Sequence, residues 1–250
     1  MQFIGQYIWP LLRVSAFYFA VPVIGARTVP ARVRIILSLF TVIILVPVLP
    51  PAPVISFLSA EGFMLMIQEV LIGLALGFCM QVVMHVFVLA GQFIAMKMGL
   101  GFAAMNDPAS GVSVTILSQF YLLISTLIFL SVNGHLVVLQ LLVDSFSTFP
   151  ISGEGINSGH FATIVGMGSW LFSAALLIAL PLFTSLLIVN MSFGVMSRSA
   201  PQMNVFTVGF PITLLLGFIL MWFTLANFLP VYFEIMEEGI GVLRTLVMTP

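Results

Sequence analysis

Charge is what this sequence has least of. Only 6% of its 250 residues are Asp, Glu, Lys or Arg, where a soluble globular chain carries about a quarter. That excludes a water-facing surface over most of the molecule, so lipid or similarly apolar subunits must solvate it. Seven basic and eight acidic side chains leave a formal net charge of −1, which excludes the basic footprint of a nucleic-acid binder. A single cysteine, Cys79, excludes an internal disulfide and reads as a small buried hydrophobe. Three scattered histidines offer no metal-ligand spacing. No Walker A, H-E-x-x-H, G-x-S-x-G or C-x-x-C pattern occurs, so neither an enzyme nor a bound cofactor or metal is expected. The opening "MQFIGQYIW" lacks a basic n-region, and Arg13 interrupts the run after it, which argues against a cleaved signal peptide.

What the sequence has is apolar length. Hydrophobic residues make up 61% of it, with a mean hydropathy of +1.25, the mark of an integral membrane protein. A bilayer-spanning helix needs about 20 mainly apolar residues. Six segments approach that length: about Ile8–Ile24, Ile35–Leu49, Phe63–Met96, Val114–Val143, Thr163–Asn190 and Phe206–Phe228. The second is stopped early by "PVLPPAP" and reaches roughly 22 Å, short of the hydrocarbon core. The third would reach about 51 Å, more than a bilayer accommodates even when tilted. Such unequal helices suit a packed assembly. Arg27, Arg32, Arg34, Lys97 and Arg198 fall in odd-numbered connections, while the second and fourth carry no Lys or Arg. The positive-inside bias therefore places the odd connections in the cytoplasm and both termini outside.

Polar residues inside apolar runs are costly and ask for a reason. Glu69, Gly73, Gly77, Gln81 and His85 recur every four residues, a slanted ridge on one helix. Gly73 and Gly77 form a G-x-x-x-G that admits a close neighbouring backbone. Two readings stand: a proton path through Glu69 and His85, or a buried packing ridge with its polar groups bonded across an interface. The second is favoured, because Glu69 and His85 lie roughly 24 Å apart along the axis. Arg13 either snorkels to an interface or pairs with a neighbour. Asn133-Gly134-His135 marks a kink or a helix contact, Pro181 predicts a bend, and His160 reads as a solvated loop residue.

The stretch "KMGLGFAAMNDPASGVSV", Lys97 to Val114, interrupts the chain midway. Gly99 and Gly101 permit backbone conformations other residues avoid, and Asn106-Asp107-Pro108 reads as a turn. Yet the "GLGFAAM" within it is apolar. Irregular backbone at membrane depth is tolerated only where protein buries it or it lines an aqueous cavity. The stretch is either a re-entrant loop or pore plug, or a cytoplasmic connection with a small packed patch.

These residues, with the following "LSQFYLLISTLIFLSVNGHLVVLQLLVDSFSTFP", resemble the signature region of the flagellar biosynthesis protein FliR family, whose superfamily includes injectisome export-gate subunits. The likeness extends over essentially the whole chain, including the "FPIS" exit of the fourth segment and "SRSAPQMNVF…GFP" before the last. "NGHL" at Asn133–Leu136 departs from the family's NGHH-like form, and the Asp-Pro central loop is closer to the flagellar than the virulence branch. The resemblance implies an all-α integral membrane protein of about six long helices in hairpins. One R-type subunit would join P-type and Q-type subunits in a cone-shaped hetero-oligomeric export gate of the bacterial inner membrane, in the flagellar basal body. That gate passes unfolded flagellar substrates, driven by the proton-motive force and a separate ATPase. The resemblance makes the central loop a pore plug, a role falling on Gly99, Gly101, Phe102, Asn106, Asp107, Pro108, Ala109, Ser110 and Gly111. It divides the chain into residues 1–160, with the loop at about 97–114, and a Q-like hairpin over 161–250. The hairpin's turn, Ser197 to Asn204, would lie near an entrance wrapped by a further gate subunit. Family gate helices sit largely above the bilayer, so not every apolar run need be a span. A small-solute secondary transporter is the competing reading, but no internal repeat or cluster of buried charge supports it.

Overall fold

Ser59 begins the longest early element, its hydroxyl accepting the Gly62 N–H at 3.0 Å as an N-cap. From there a helix runs unbroken to Lys97. A computed structural model describes residues 2–26, 28–51, 53, 55–56, 59–100, 115–151, 155–199 and 205–248. Among these the regular elements are all helical: α1 Gln2–Ala20, α2 Ala31–Leu45, α3 Ala60–Lys97, α4 Ile116–Ser131, α5 Gly134–Thr148, α6 Ser158–Ser199, α7 Val205–Leu225 and α8 Phe228–Met248.

This differs from the six expected segments in two places. The fourth segment is two helices, α4 and α5, bent by 73°. Asn133 makes the break by taking the left-handed conformation, φ +58°, which short polar side chains tolerate better than most. The second difference is α8, which falls largely beyond the last expected segment. Its run is too rich in Glu for hydropathy to register, but its apolar spacing is helical. Phe228, Tyr232, Ile235, Met236, Leu243, Leu246 and Val247 are buried, while Glu234, Glu237, Glu238 and Arg244 face outward.

Among the described residues two helices, α3 and α6, are long and apolar enough to cross a membrane, and up to four segments are if each bent pair, α4–α5 and α7–α8, is counted as one. Six individual spans are not matched, since α2 has 15 residues, about 22 Å against a core of about 30 Å. Helix α6 continues through Pro181 for 42 residues. Only 28% of its most apolar window is buried, so most of that surface needs lipid or another chain as cover.

The chain forms two compact units, each assembled from separated stretches, so the expected 160/161 division falls inside α6. Residues 1–83, 128–169 and 238–250 form the first unit. Its core gathers Trp9, Val14 and Phe17 of α1, Leu65, Ile72 and Leu76 of α3, and Leu142 and Phe146 of α5. His160 belongs here and is no solvated loop residue. It lies in the first turn of α6, 4% exposed, where Nδ1 accepts the Asn157 N–H and Asn157 Oδ1 accepts the His160 N–H, both at 3.1 Å. This is a reciprocal cap that a loop reading overlooks.

Residues 84–127 and 170–237 form the second unit. Aromatic rings knit it together: Phe87 stacks on Tyr232 at 5.2 Å and meets Phe228 edge-on at 5.8 Å, and Tyr121 meets Phe228 at 5.6 Å. Each such pair adds roughly 0.5–1.5 kcal/mol beyond its buried area.

Candidate functional site

The central interruption is described up to Leu100 and again from Thr115. Gly101, Phe102, Asn106, Asp107, Pro108, Ala109, Ser110 and Gly111 lie outside the described residues. Its two moorings, both in the second unit, are well defined. At the first, α3 ends in a Schellman motif: Leu100 N–H donates to Ala95 O at 2.9 Å and Gly99 N–H to Met96 O at 3.2 Å. That geometry requires the φ of +85° at Gly99. A Cβ there would also lie 2.7 Å from the Phe210 ring of α7, and one at Gly217 would lie 2.7 Å from Met98. Positions 210 and 217 are two turns apart, so one face of α7 seats the end of α3. Lys97 places its ammonium 3.9 Å above the Phe183 ring.

At the second mooring Thr115 caps α4, its hydroxyl accepting the Ser118 N–H at 3.3 Å. Ser118 Oγ in turn donates to Gln92 Oε1 of α3 at 3.1 Å. Gly91 lets the helices cross at this point, since a Cβ on it would come within 2.7 Å of Ser118 Cα. Thus α3 and α4 are pinned one beside the other just before the chain leaves and just after it returns.

In the first unit the ridge on α3 divides. Glu69, Gly73 and Gly77 are buried, whereas Gln81 and His85 are exposed. A four-residue step turns about 40° on a helix, so four steps carry the ridge roughly 160° around and out to the far face. The expected packing ridge therefore extends over three of its five positions. The glycines face α1. A Cβ on Gly73 would strike the Arg13 carbonyl oxygen, and one on Gly77 would stand 2.7 Å from Ala20 Cβ and 2.9 Å from Phe17 O. Small residues on both helices, Gly73 and Gly77 against Ala16 and Ala20, let the backbones touch.

Beside that crossing sits a fully buried ion pair. Arg13 Nε and Nη2 donate to the two Glu69 carboxylate oxygens at 2.8 and 2.9 Å. Nη1 donates to Ser145 O at 2.8 Å and Ser145 Oγ at 3.3 Å, and Nη2 to Phe149 O at 2.7 Å. All five guanidinium N–H groups are thereby used. The plane lies 4.2 Å from the Phe146 ring centroid. One fork holds α3 while the other closes the carbonyl end of α5, where cations are favoured. Arg13 therefore pairs with Glu69 and does not snorkel, while His85, sixteen residues further along the same helix, is exposed.

The sequence reading had missed Ser145, Phe149, Gln92 and Ser118 as partners. For Arg13 a signal existed. It is the lone charge of α1, and Glu69 is the lone charge in the interior of α3. Two solitary opposite charges in apolar surroundings have only one another to neutralise them. For Ser145 and Phe149 no signal exists, because backbone carbonyls carry no sequence identity.

Comparison with known proteins covers nearly all of this architecture. The model of bacterial export proteins, family 1, matches residues 4–239. The flagellar biosynthetic protein FliR of Escherichia coli is 41% identical over 223 residues, 88% of this chain and 84% of that protein. Its namesake in Buchnera aphidicola subsp. Acyrthosiphon pisum is 31% identical over 235 residues, covering 94% and 91%. That of Bacillus subtilis is 30% identical over 240 residues, covering 94% and 92%. Matched from its first helix into its last, the chain belongs to family 1 of the bacterial export proteins.

Proposed function

We propose that this chain is a non-enzymatic subunit of the flagellar protein export apparatus in the bacterial inner membrane. The observation that carries the reading is similarity along almost the whole chain to relatives that each bear the name of a flagellar biosynthetic protein. The apolar composition and the bare length of α6 support it, since both call for cover by lipid or by unlike, similarly apolar subunits. In this reading P-type and Q-type subunits supply that cover. A further subunit sits at the cytoplasmic entrance, and unfolded flagellar proteins pass through the pore so formed.

The central segment is the plug of that pore. Its moorings support the assignment. Gln92 bonds at the return point, and Gly99 lies seven residues further along α3, roughly 10 Å. The 14 undescribed residues between Leu100 and Thr115 could reach about 46 Å when extended. A small-solute transporter would instead need charge gathered at a central site, and the buried pair here has every donor committed.

The test is the native mass of the detergent-extracted protein, co-expressed with the other export-gate subunits. A large hetero-complex of defined composition, containing this chain and supporting flagellar protein export, is expected. A monomer or homo-oligomer in the presence of abundant partners would refute the reading.

A further inference from the structure

The first 60 residues contain Arg13, Arg27, Arg32 and Arg34 and no Asp or Glu. Glu69 neutralises Arg13, and Arg27 lies outside the described residues. Arg34 stands one turn into α2, where Nη2 donates to Val29 O at 3.0 Å, while its buried Nε has no hydrogen-bond partner among the described residues. Arg34 lines a cleft of about 740 Å³ in the first unit, whose lining includes Phe19, Leu71, Leu74, Phe78, Phe161 and the polar Gln81 and, among the described residues, no acidic one. That volume lies within the range of ligand pockets, about 300–1,000 Å³.

The surroundings decide what fits. Ile35, Ile36, Leu39 and Phe40 of α2 and Phe161 and Val165 of α6 are exposed, so the elements around the cleft present apolar surface. Apart from the Arg34 guanidinium and the Gln81 amide, the side chains lining it are apolar and offer nothing to the repeated N–H and C=O groups of a peptide. A hydrocarbon chain brings none. An anion matches a guanidinium that has the Phe19 ring at 5.6 Å and no carboxylate partner among the described residues, and the Arg-rich connection is the kind of segment that lies at cytoplasmic headgroup depth.

We propose that this cleft is a binding site for an anionic phospholipid. The phosphate is held by the Arg34 guanidinium, and one acyl chain lies along Leu71, Leu74 and Phe78. Binding there fills the space beside α2 and fixes the Arg-rich connection at the membrane surface.

The experiment uses the full chain in its co-expressed complex, delipidated and then exposed to nanodiscs or micelles containing phosphatidylglycerol or phosphatidylethanolamine, with retained lipid counted by native mass spectrometry. Phosphatidylglycerol is expected to be retained over phosphatidylethanolamine. Arg34→Gln is expected to lower retention about tenfold, the loss of one charge-assisted contact. Arg32→Gln, at an exposed residue outside the cleft, leaves retention within twofold. Ala75→Trp fills the cleft, keeps the charge, and lowers retention of both lipids, which preserves the test should Arg34→Gln fail to assemble. Equal retention of the two lipids, or retention unchanged in Arg34→Gln or Ala75→Trp, overturns the proposal. So does displacement of the bound species by millimolar inorganic phosphate, which would mark a free-anion site. A photoreactive residue at Ile164 that captures polypeptide in place of lipid overturns it as well.

Discussion

Breaking the Arg13–Glu69 pair should unfasten the first unit. The five bonds join three helices, and neither charge has access to water. Removing one partner of a buried pair strands the other, at a cost of about 3–5 kcal/mol. For a chain of this size each kcal/mol moves the melting temperature by about 2–4 °C. Arg13→Met or Glu69→Gln should therefore lower it by roughly 6–20 °C. In Glu69→Gln the amide NH2 turns one donor toward a guanidinium that has only donors, leaving the positive charge buried and short of an acceptor. Arg13→Lys should fare little better, because a compact ammonium cannot fork to Glu69 and reach both carbonyls. The informative variant is the double one, Arg13→Met with Glu69→Leu. It removes both charges and takes a donor from the Phe149 carbonyl, while the Ser145 carbonyl keeps the Phe149 N–H at 2.9 Å, so its loss should be no greater than that of either single variant. Thermal unfolding of the co-expressed complex, followed by the loss of its size-exclusion peak after heating, measures all four. Shifts below 2 °C in the single variants would refute the reasoning, as would a double variant whose loss equals the sum of the singles.

Three further outcomes follow from the same geometry. Gly73→Leu and Gly77→Leu should abolish recovery of the complex by forcing α1 and α3 apart, and normal complex yield from both variants would refute the close packing. Gly99→Val should destabilise the end of α3 by at least about 1–2 kcal/mol, because φ stays positive there, and Phe210→Ala should relieve only the steric part; equal melting temperatures for wild type and Gly99→Val would refute this. Deleting Asp107 to Gly111 should leave the complex assembled but raise ion conductance in reconstituted vesicles, and an assembled deletion variant as tight as the wild type would count against the plug.

What could be read in the sequence was the part that repeats with helical period or breaks it. The end of α3 at Lys97 follows from Gly99, and the interruption of the fourth segment from Asn133. Both are local events, decided by one residue's backbone conformation. Helix α8 was hidden because hydropathy averages over all faces. Its Glu residues cancel the buried stripe of Phe228, Tyr232 and Leu243, although the spacing of that stripe records the helix. Gln81 and His85 mislead for the opposite reason. Their four-residue spacing continues the ridge of Glu69 and Gly73, but a helix with 3.6 residues per turn rotates them out of it. The partners of Arg13 were out of reach, since α5 arrives at it from more than 130 residues away in the chain.

The breaks between helices bear on where this chain can sit. At Asn133 and at Ala226-Asn227 the backbone leaves the helical ladder, in each case within a run apolar enough to span when its two halves are joined. Asn133 is exposed and makes no side-chain capping bond. The backbone at both breaks keeps hydrogen bonds, Asn133 N–H to Leu130 O at 3.2 Å, Leu136 N–H to Asn133 O at 2.9 Å and Asn227 N–H to Thr224 O at 3.1 Å, but an exposed, uncapped Asn133 amide is costly in hydrocarbon. Either the bent pairs are not single spans, and the breaks meet water, or another protein surface wraps them. The first option leaves α3 and α6 as the candidate spans among the described residues, and most of the apolar window of α6 still lacks cover from its own chain. The second covers the breaks and the bare faces of α6 at once. Both options lead to the same requirement: much of the apolar surface of this chain needs cover that its own fold does not supply.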